Sequence, residues 1–328
     1  MTKILVIGSN SFSGASYCQF ALSKGAWVTG ISRSEEPVNA LLPYKWGDHH
    51  QFDFHRLDLN HDLPLIVGLI NSVKPDYVVN FAAQSMVAES WLNPEHWYMT
   101  NVVSSIKLHN ELRKMNFLKR YVHISTPEVY GNCSGFVKED YPFNPSTPYA
   151  ASRAAADLSL RTFFQGYQFP VVTTRAANVY GPGQQLYRII PRTILFMLMN
   201  KKIQLHGGGL STRSFIHIRD VSDATWRIMV NGINGSVYHI STNEVISIRS
   251  LVEKICQKLD RNFGDCVEVV GERLGKDSAY HLDSTKLREE LDWQDQVTLD
   301  QGIDESIMWV RKYFDVLALQ EHDYIHKP

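Results

Sequence analysis

The stretch "NPSTPYAASRAAAD" sets Tyr149 and Arg153 four residues apart just after two prolines, Pro145 and Pro148. If a helix starts at the second proline, the phenol and the guanidinium share one face. Such a pair is either a proton-transfer device or ordinary helix decoration. A tyrosine ionises near pH 10, so work as a base near neutrality asks for a fall of about three units, roughly 4 kcal/mol. A cation at about 4 Å supplies approximately that at an effective dielectric near 20. A second candidate group lies upstream, where the run "RYVHIST" ends in "HISTPEVYG" and offers Thr126 and Glu128. A third is the turn "GSNSFSG", Gly8 to Gly14. A glycine-rich turn between a strand and a helix lets backbone approach a pyrophosphate, which the helix N-terminus then holds.

The elements that must position these groups are legible as a rhythm. "ILVIG", "WVTGIS", "FHRLDL", "YVVNFAA", "RYVHIST" and "VVTTRAANVYG" are short β-branched runs separated by amphipathic stretches. Alternation of this kind predicts an α/β protein built on a doubly wound parallel Rossmann sheet. Ligands of such sheets bind outside the carboxyl ends of the strands, which puts Thr126 and Glu128 at the lip of the crevice. From Gly181 the rhythm loosens through "GPGQQLYRIIP" and "LHGGGLSTRS". A smaller α/β lobe for substrate is expected there. The expected division is 1–180 for dinucleotide, with 215–243 returning to it, and 181–214 with 244–328 for the second lobe.

Composition excludes several classes. The net charge of −1 and a charged fraction of 20% give no polybasic surface for nucleic acid or membrane. The four cysteines, Cys18, Cys133, Cys256 and Cys266, show no metal-type spacing, so free thiols and no metal are expected. His49 and His50, beside Trp46 and Asp48, read as a solvated loop. The opening "KILVIGSN" carries no apolar signal core, and "IIPRTILFMLM" is too short to span a bilayer. A soluble, cytoplasmic protein is expected. At the end of the second predicted strand an acidic residue would bind a ribose 2′-hydroxyl and a basic one a 2′-phosphate. Ser32 and Arg33 stand there, leaning towards NADP over NAD, although Glu35 or Glu36 could reach the ribose. Asp58 could accept from the adenine amino group.

"GSNSFSG", "LDLN", "NFAAQSMVAESW", "TNVVSS", "STPEVYG", "PYAASR", "RAANVYGPG", "STRSFIHIRDV" and "GERLGKDSAYHLDSTKLREELDW" run in order over nearly the whole chain. In these stretches the sequence resembles the extended short-chain dehydrogenase/reductases, in particular the nucleotide-sugar 4,6-dehydratases acting on dTDP-glucose and GDP-mannose. The resemblance implies a lyase that makes a 4-keto-6-deoxy sugar: hydride passes from C4 to the nicotinamide and back to C6, with loss of water between. It implies Tyr149 as the base at the sugar O4, Glu128 as the base at C5 and Thr126 as a hydrogen-bonding partner of the reacting oxygen. Arg153 stands in the place of the family's lysine. For the cofactor it implies Gly8, Ser11, Phe12, Ser13, Gly14, Ser32, Arg33, Asp58, Leu59, Ala82, Ala83, Gln84, Asn101, Ser125 and Ala176 besides Tyr149 and Arg153. For the nucleoside-diphosphate sugar it implies Ser85, Met86, Asn178, Arg192, Arg213, Arg273 and Tyr280 besides Thr126 and Glu128. A homodimer through the helices after "NFAAQ" and after Tyr149 is implied as well.

Three positions depart from the family. Ser11 replaces a glycine, so its side chain crowds the phosphates unless the turn shifts by part of an ångström or the hydroxyl donates to a phosphate oxygen, and weakened or adjusted cofactor binding is expected. Pro127 replaces the aspartate that protonates the departing O6 in the dTDP-glucose enzymes, leaving Glu128 to act at both C5 and O6. Arg153 keeps the charge of lysine in a longer, planar group that could bridge the nicotinamide ribose hydroxyls. The alternatives are an epimerase or decarboxylase on the same scaffold, a nucleotide-sugar-binding protein without activity, and a site in which another cation tunes Tyr149.

Overall fold

The computed structural model describes residues 1–48, 50–271 and 281–327. Its centre is a sheet of seven strands, all parallel: β1 (Lys3–Ile7), β2 (Trp27–Ser32), β3 (Phe52–Arg56), β4 (Tyr77–Asn80), β5 (Arg120–Ile124), β6 (Val171–Ala176) and β7 (Val237–Ile240). The spatial order is β7-β6-β5-β4-β1-β2-β3. The order in which strands are added thus reverses between β1 and β4, at the switch point where doubly wound sheets bind ligands.

Both faces of the sheet are covered, which is why its strands read as continuous apolar runs. Ile4 to Ile7 of β1 are all buried. On one face pack α1 (Phe12–Ser23), through Ala15, Tyr17 and Cys18, and a later helix, Ile218–Asn231, through Val221, Ala224 and Ile228. On the other lie α2 (Leu63–Val73), α3 (Ser105–Leu112) and α4 (Pro148–Tyr167), through Ile66, Ile70, Leu108, Leu112 and Leu160. In chain order α5 (Ile189–Leu198) comes next, the Ile218–Asn231 helix is α6, and α7 (Ile248–Lys258) and α8 (Leu299–Lys312) follow. Helices α5, α7 and α8 share a second apolar core around Ile194, Leu251, Ile255 and Ile303.

The run "VVTTRAANVYG" is not one strand. β6 ends at Ala176, and Asn178–Tyr180 pairs instead with Phe215–His217. The Ala177 N–H still bonds to the carbonyl of Ile240, while that of Asn178 turns to Ser214. The backbone leaves the central sheet there and starts a separate two-stranded pairing.

Candidate active site

Register lines up the carboxyl ends that matter. Ile7 of β1 pairs with both Ile31 and Asn80, and Asn80 pairs with His123. Gly8, Ser32, Phe81 and Ile124 are therefore level at one edge, with Ser125 next after Ile124. Gly8 has φ of +83°, and a Cβ there would meet the backbone nitrogen of Ala82 at 2.7 Å. A Cβ on Gly14 would collide with the Gly8 carbonyl. Both positions are closed to side chains, and α1 points its N-terminus into the space they leave.

Ser11 does not crowd that space. It is the N-cap of α1: its hydroxyl donates to the Gly8 carbonyl (2.7 Å) and accepts from the Gly14 N–H (3.1 Å). The expectation of a hydroxyl given to a phosphate is corrected, since both of its hydrogen-bonding directions are used inside the turn. Phe12 and Ser13 follow as the first helical residues. The Ser32 hydroxyl accepts from the Asn10 N–H (3.0 Å), and Arg33 donates to the carbonyl of Lys327 (3.0 Å). Asp58 accepts from the N–H of Asn60 (2.7 Å) in a local turn, with Leu59 buried beside it.

Ala82 and Ala83 lead into Gln84, which is tied to the tyrosine helix. The side chain of Asn101 accepts from the Gln84 N–H (2.9 Å) and donates to the Gln84 carbonyl (3.0 Å) and to Ser152 (2.9 Å). Ser152 donates in turn to the Tyr149 carbonyl (2.7 Å). The loop after β4 and the first turn of α4 are thus one hydrogen-bonded unit. Thr147 caps α4 through the Ala150 N–H (3.1 Å) with Pro148 in the first position, as the sequence suggested.

Tyr149, Thr126 and Glu128 meet at the end of β5. Tyr149 and Thr126 are buried, and the Thr126 hydroxyl also accepts from the Glu128 N–H (3.3 Å). Burial pushes the Tyr149 phenol up, and the charge of Glu128 pushes it further. Arg153, a hydrogen bond with Thr126, and Arg188 pull it back without overcoming the rise. The expected fall is therefore corrected: this arrangement holds a neutral phenol. Arg153 shows why its pull is modest. Its guanidinium is buried and donates through Nη2 to the Ile124 carbonyl and towards His123 Nε2 (3.3 Å), while Nε finds no partner among the described residues. Arg188, which heads α5, is the cation that sequence reasoning missed. Only its place in "YRIIP", four residues before Arg192, could have suggested it.

Below the site runs a buried polar chain. Ser125 donates to Asp157 (2.8 Å), and Arg175 clasps the same carboxylate through Nη2 (2.8 Å) and Nε (3.2 Å). Burial pushes the Asp157 carboxyl up, but Arg175 and His123 overcome this and hold it well below the usual range. Arg175 also donates to the Tyr130 hydroxyl, which lies 2.7 Å from Nε2 of His239.

The substrate side is less complete. Asn178 and Ala176 flank the end of β6, Ser85 is exposed and Met86 half-buried. Arg213 is buried on the two-residue strand Thr212–Arg213, and its charge is felt by His281. Arg192 departs from expectation: it donates to the His322 carbonyl (2.7 Å) and to Asp323 (2.8 Å), so it faces the C-terminal segment. Arg273 and Tyr280 lie outside the described residues, as does His49. Among the described residues no group of three or more metal-binding side chains converges, and no helix is long and apolar enough to cross a membrane.

A parallel sheet with a glycine turn at its switch point and a Thr/Glu/Tyr cluster at the same edge defines an extended short-chain dehydrogenase/reductase of the nucleotide-sugar dehydratase and epimerase class. The family model for GDP-mannose 4,6 dehydratase matches residues 5–306, and the chain belongs to that family. It is 31% identical to the dTDP-glucose 4,6-dehydratase of Xanthomonas campestris pv. campestris, over 94% of this chain and 93% of the relative. Among solved structures it resembles the dTDP-glucose 4,6-dehydratase of Streptomyces venezuelae, with NAD bound, at a TM-score of 0.89 and 28% identity over 96% of this chain and 98% of that one. The dTDP-glucose 4,6-dehydratase of Bacillus anthracis, in complex with NAD, superposes at 0.87 with 29% identity over 96% and 98%.

Proposed function

We propose that the protein is an NAD-dependent 4,6-dehydratase of a nucleoside-diphosphate hexose, and the observation that carries this is the convergence of Tyr149, Thr126 and Glu128 beside the glycine turn. The turn fits a dinucleotide: Gly8 and Gly14 leave a cradle that any Cβ would fill, at the N-terminus of a twelve-residue helix. Gly8 to Gly14 with Gln84 and Asn101 would hold it. When bound, the nicotinamide supplies the hydride acceptor and donor that the reaction needs. We read the cofactor as NAD, which the solved relatives carry. The preference for NADP expected from Ser32 and Arg33 loses support, because one serves Asn10 and the other Lys327.

In this reading the ionised fraction of Tyr149, which grows as pH rises, takes the proton of the sugar 4-hydroxyl on Oη, with Thr126 fixing the oxygen. Glu128 removes the proton from C5 and hands one to O6, because Pro127 has none to give. Arg213 and Arg188 meet the diphosphate as guanidinium forks suited to its oxygens. Residues 1–180 with 215–243 make the dinucleotide lobe, and 181–214 with 244–328 the sugar-nucleotide lobe. A homodimer is supported by exposed apolar residues on the implied helices, Met99, Val103 and Leu158.

The test is a panel of dTDP-, UDP- and GDP-hexoses given to NAD-loaded protein. A product lighter than its substrate by one water, with a 4-keto group, is expected. Products that all keep the 6-hydroxyl would remove dehydration and leave epimerisation or binding alone.

A further inference from the structure

The C-terminal segment does not trail off the last helix. Arg192 of α5 grips the His322 carbonyl and Asp323, and the Phe196 ring meets His322 edge-on at 5.7 Å. Tyr324 meets Tyr187 edge-on at 5.4 Å. The His326 imidazole then stacks on Trp97 at 4.9 Å and 11°, with His96 Nδ1 2.8 Å from its Nε2. Finally the Lys327 carbonyl accepts from Gln84 Nε2 (2.6 Å) and from Arg33 (3.0 Å).

The position of that last oxygen follows from topology. Arg33 follows β2, Gln84 follows β4, and the strand between those two is β1, which ends in the glycine turn. One oxygen that accepts from both side chains joins the two banks of the dinucleotide groove across that turn. Among the described residues no hydrogen bond links the segment to the turn itself, whose Gly8, Ser11 and Gly14 bond to one another and to Ile31. The segment therefore rests on the rims and leaves the N-terminus of α1 to another anion.

We propose that residues 322–327 are a strap that closes over the bound dinucleotide and slows its release. This rests on the reading of the groove as a dinucleotide site. It also suits that chemistry: a hydride returned to the sugar it came from calls for the same dinucleotide to stay bound between the two hydride steps of one turnover. The strap ties α5 of one lobe to the β2 and β4 ends of the other, so it bears on both lobes at once.

The experiment compares the full chain, a chain ending at Gln320 and the variant His326→Ala. Each is loaded with radiolabelled NAD, passed through gel filtration and chased with unlabelled NAD. Loss of the hydrogen bonds to Gln84 and Arg33 with the stacking on Trp97 is expected to speed release about tenfold or more in the shortened chain. His326→Ala, which keeps the backbone contacts, should fall between and guards against a misfolded truncation. Melting of the NAD-free His326→Ala protein should stay within about 2 °C of the full chain. Equal or slower release from both variants would overturn the strap while leaving the dehydratase reading in place. Faster association with unchanged release would also overturn it, since that describes a competitor for the groove. NAD retained by none of the three would sink the dinucleotide reading and the strap together.

Discussion

At the scale of single residues the site is a contest between burial and charge over one proton. Burial and Glu128 raise the Tyr149 phenol, while Arg153 and Arg188 lower it. Because the folded phenol is raised, the phenolate grows as pH rises towards and beyond 10, and kcat/KM is expected to climb across pH 6–9 without a plateau. Arg153→Lys should move that limb to lower pH by about half a unit to one unit and raise the rate at neutral pH up to about tenfold. The reason is geometric: a point charge on a shorter stem has no fork to spend on the Ile124 carbonyl and His123. A rate that drops, with the limb unmoved, would show that the guanidinium already does all that a cation can do there. Glu128→Gln should stop water loss by about a hundredfold or more while reduced nicotinamide still forms on adding substrate, read by its absorbance. The i, i+4 spacing made the Tyr149–Arg153 pair legible in sequence. It could not reveal which partners the guanidinium takes, because Ile124 and His123 come from a strand in another part of the chain.

At the scale of elements the six β-branched runs became strands of one sheet, since a strand covered on both faces must be apolar along its length. The break at Ala177 was hidden, because no glycine or proline marks it and Val179 and Tyr180 resume a strand-like run while the hydrogen-bonding partner changes from Ile240 to Ser214. The glycine turn was legible as a turn, yet the role of Ser11 was not: a serine at the start of a helix caps it, and here the cap closes on Gly8 and Gly14. Ser11→Ala should therefore cost about 1 kcal/mol of stability, seen in denaturant titration, and change NAD affinity by less than about threefold. An affinity loss of tenfold or more at unchanged stability would mean that the hydroxyl serves the phosphate after all.

At the scale of the whole molecule the two ends of the problem meet in the charged chain beneath the site. Asp157 of α4, Arg175 of β6 and His123 of β5 lie in a buried cluster that joins helix to sheet, and Tyr130 carries it on to His239 of β7. None of these contacts falls within a local sequence pattern, since the partners lie on different elements far apart in the chain. The same holds for the strap, whose contacts join residues near 325 to the ends of β2 and β4. The cluster has a thermodynamic signature. Asp157 is held below its unfolded value, so the stability it contributes is present above about pH 4 and is lost as pH falls towards its folded value. Asp157→Asn leaves Arg175 buried without its counter-charge and should cost about 3–5 kcal/mol at neutral pH. It should also flatten the acid side of the stability curve between about pH 4 and 2. Stability measured by urea unfolding across that range decides it: a variant as acid-sensitive as the parent would place the acid transition on other carboxylates, and the Asp157–Arg175 pair would no longer explain how helix α4 is held to the sheet.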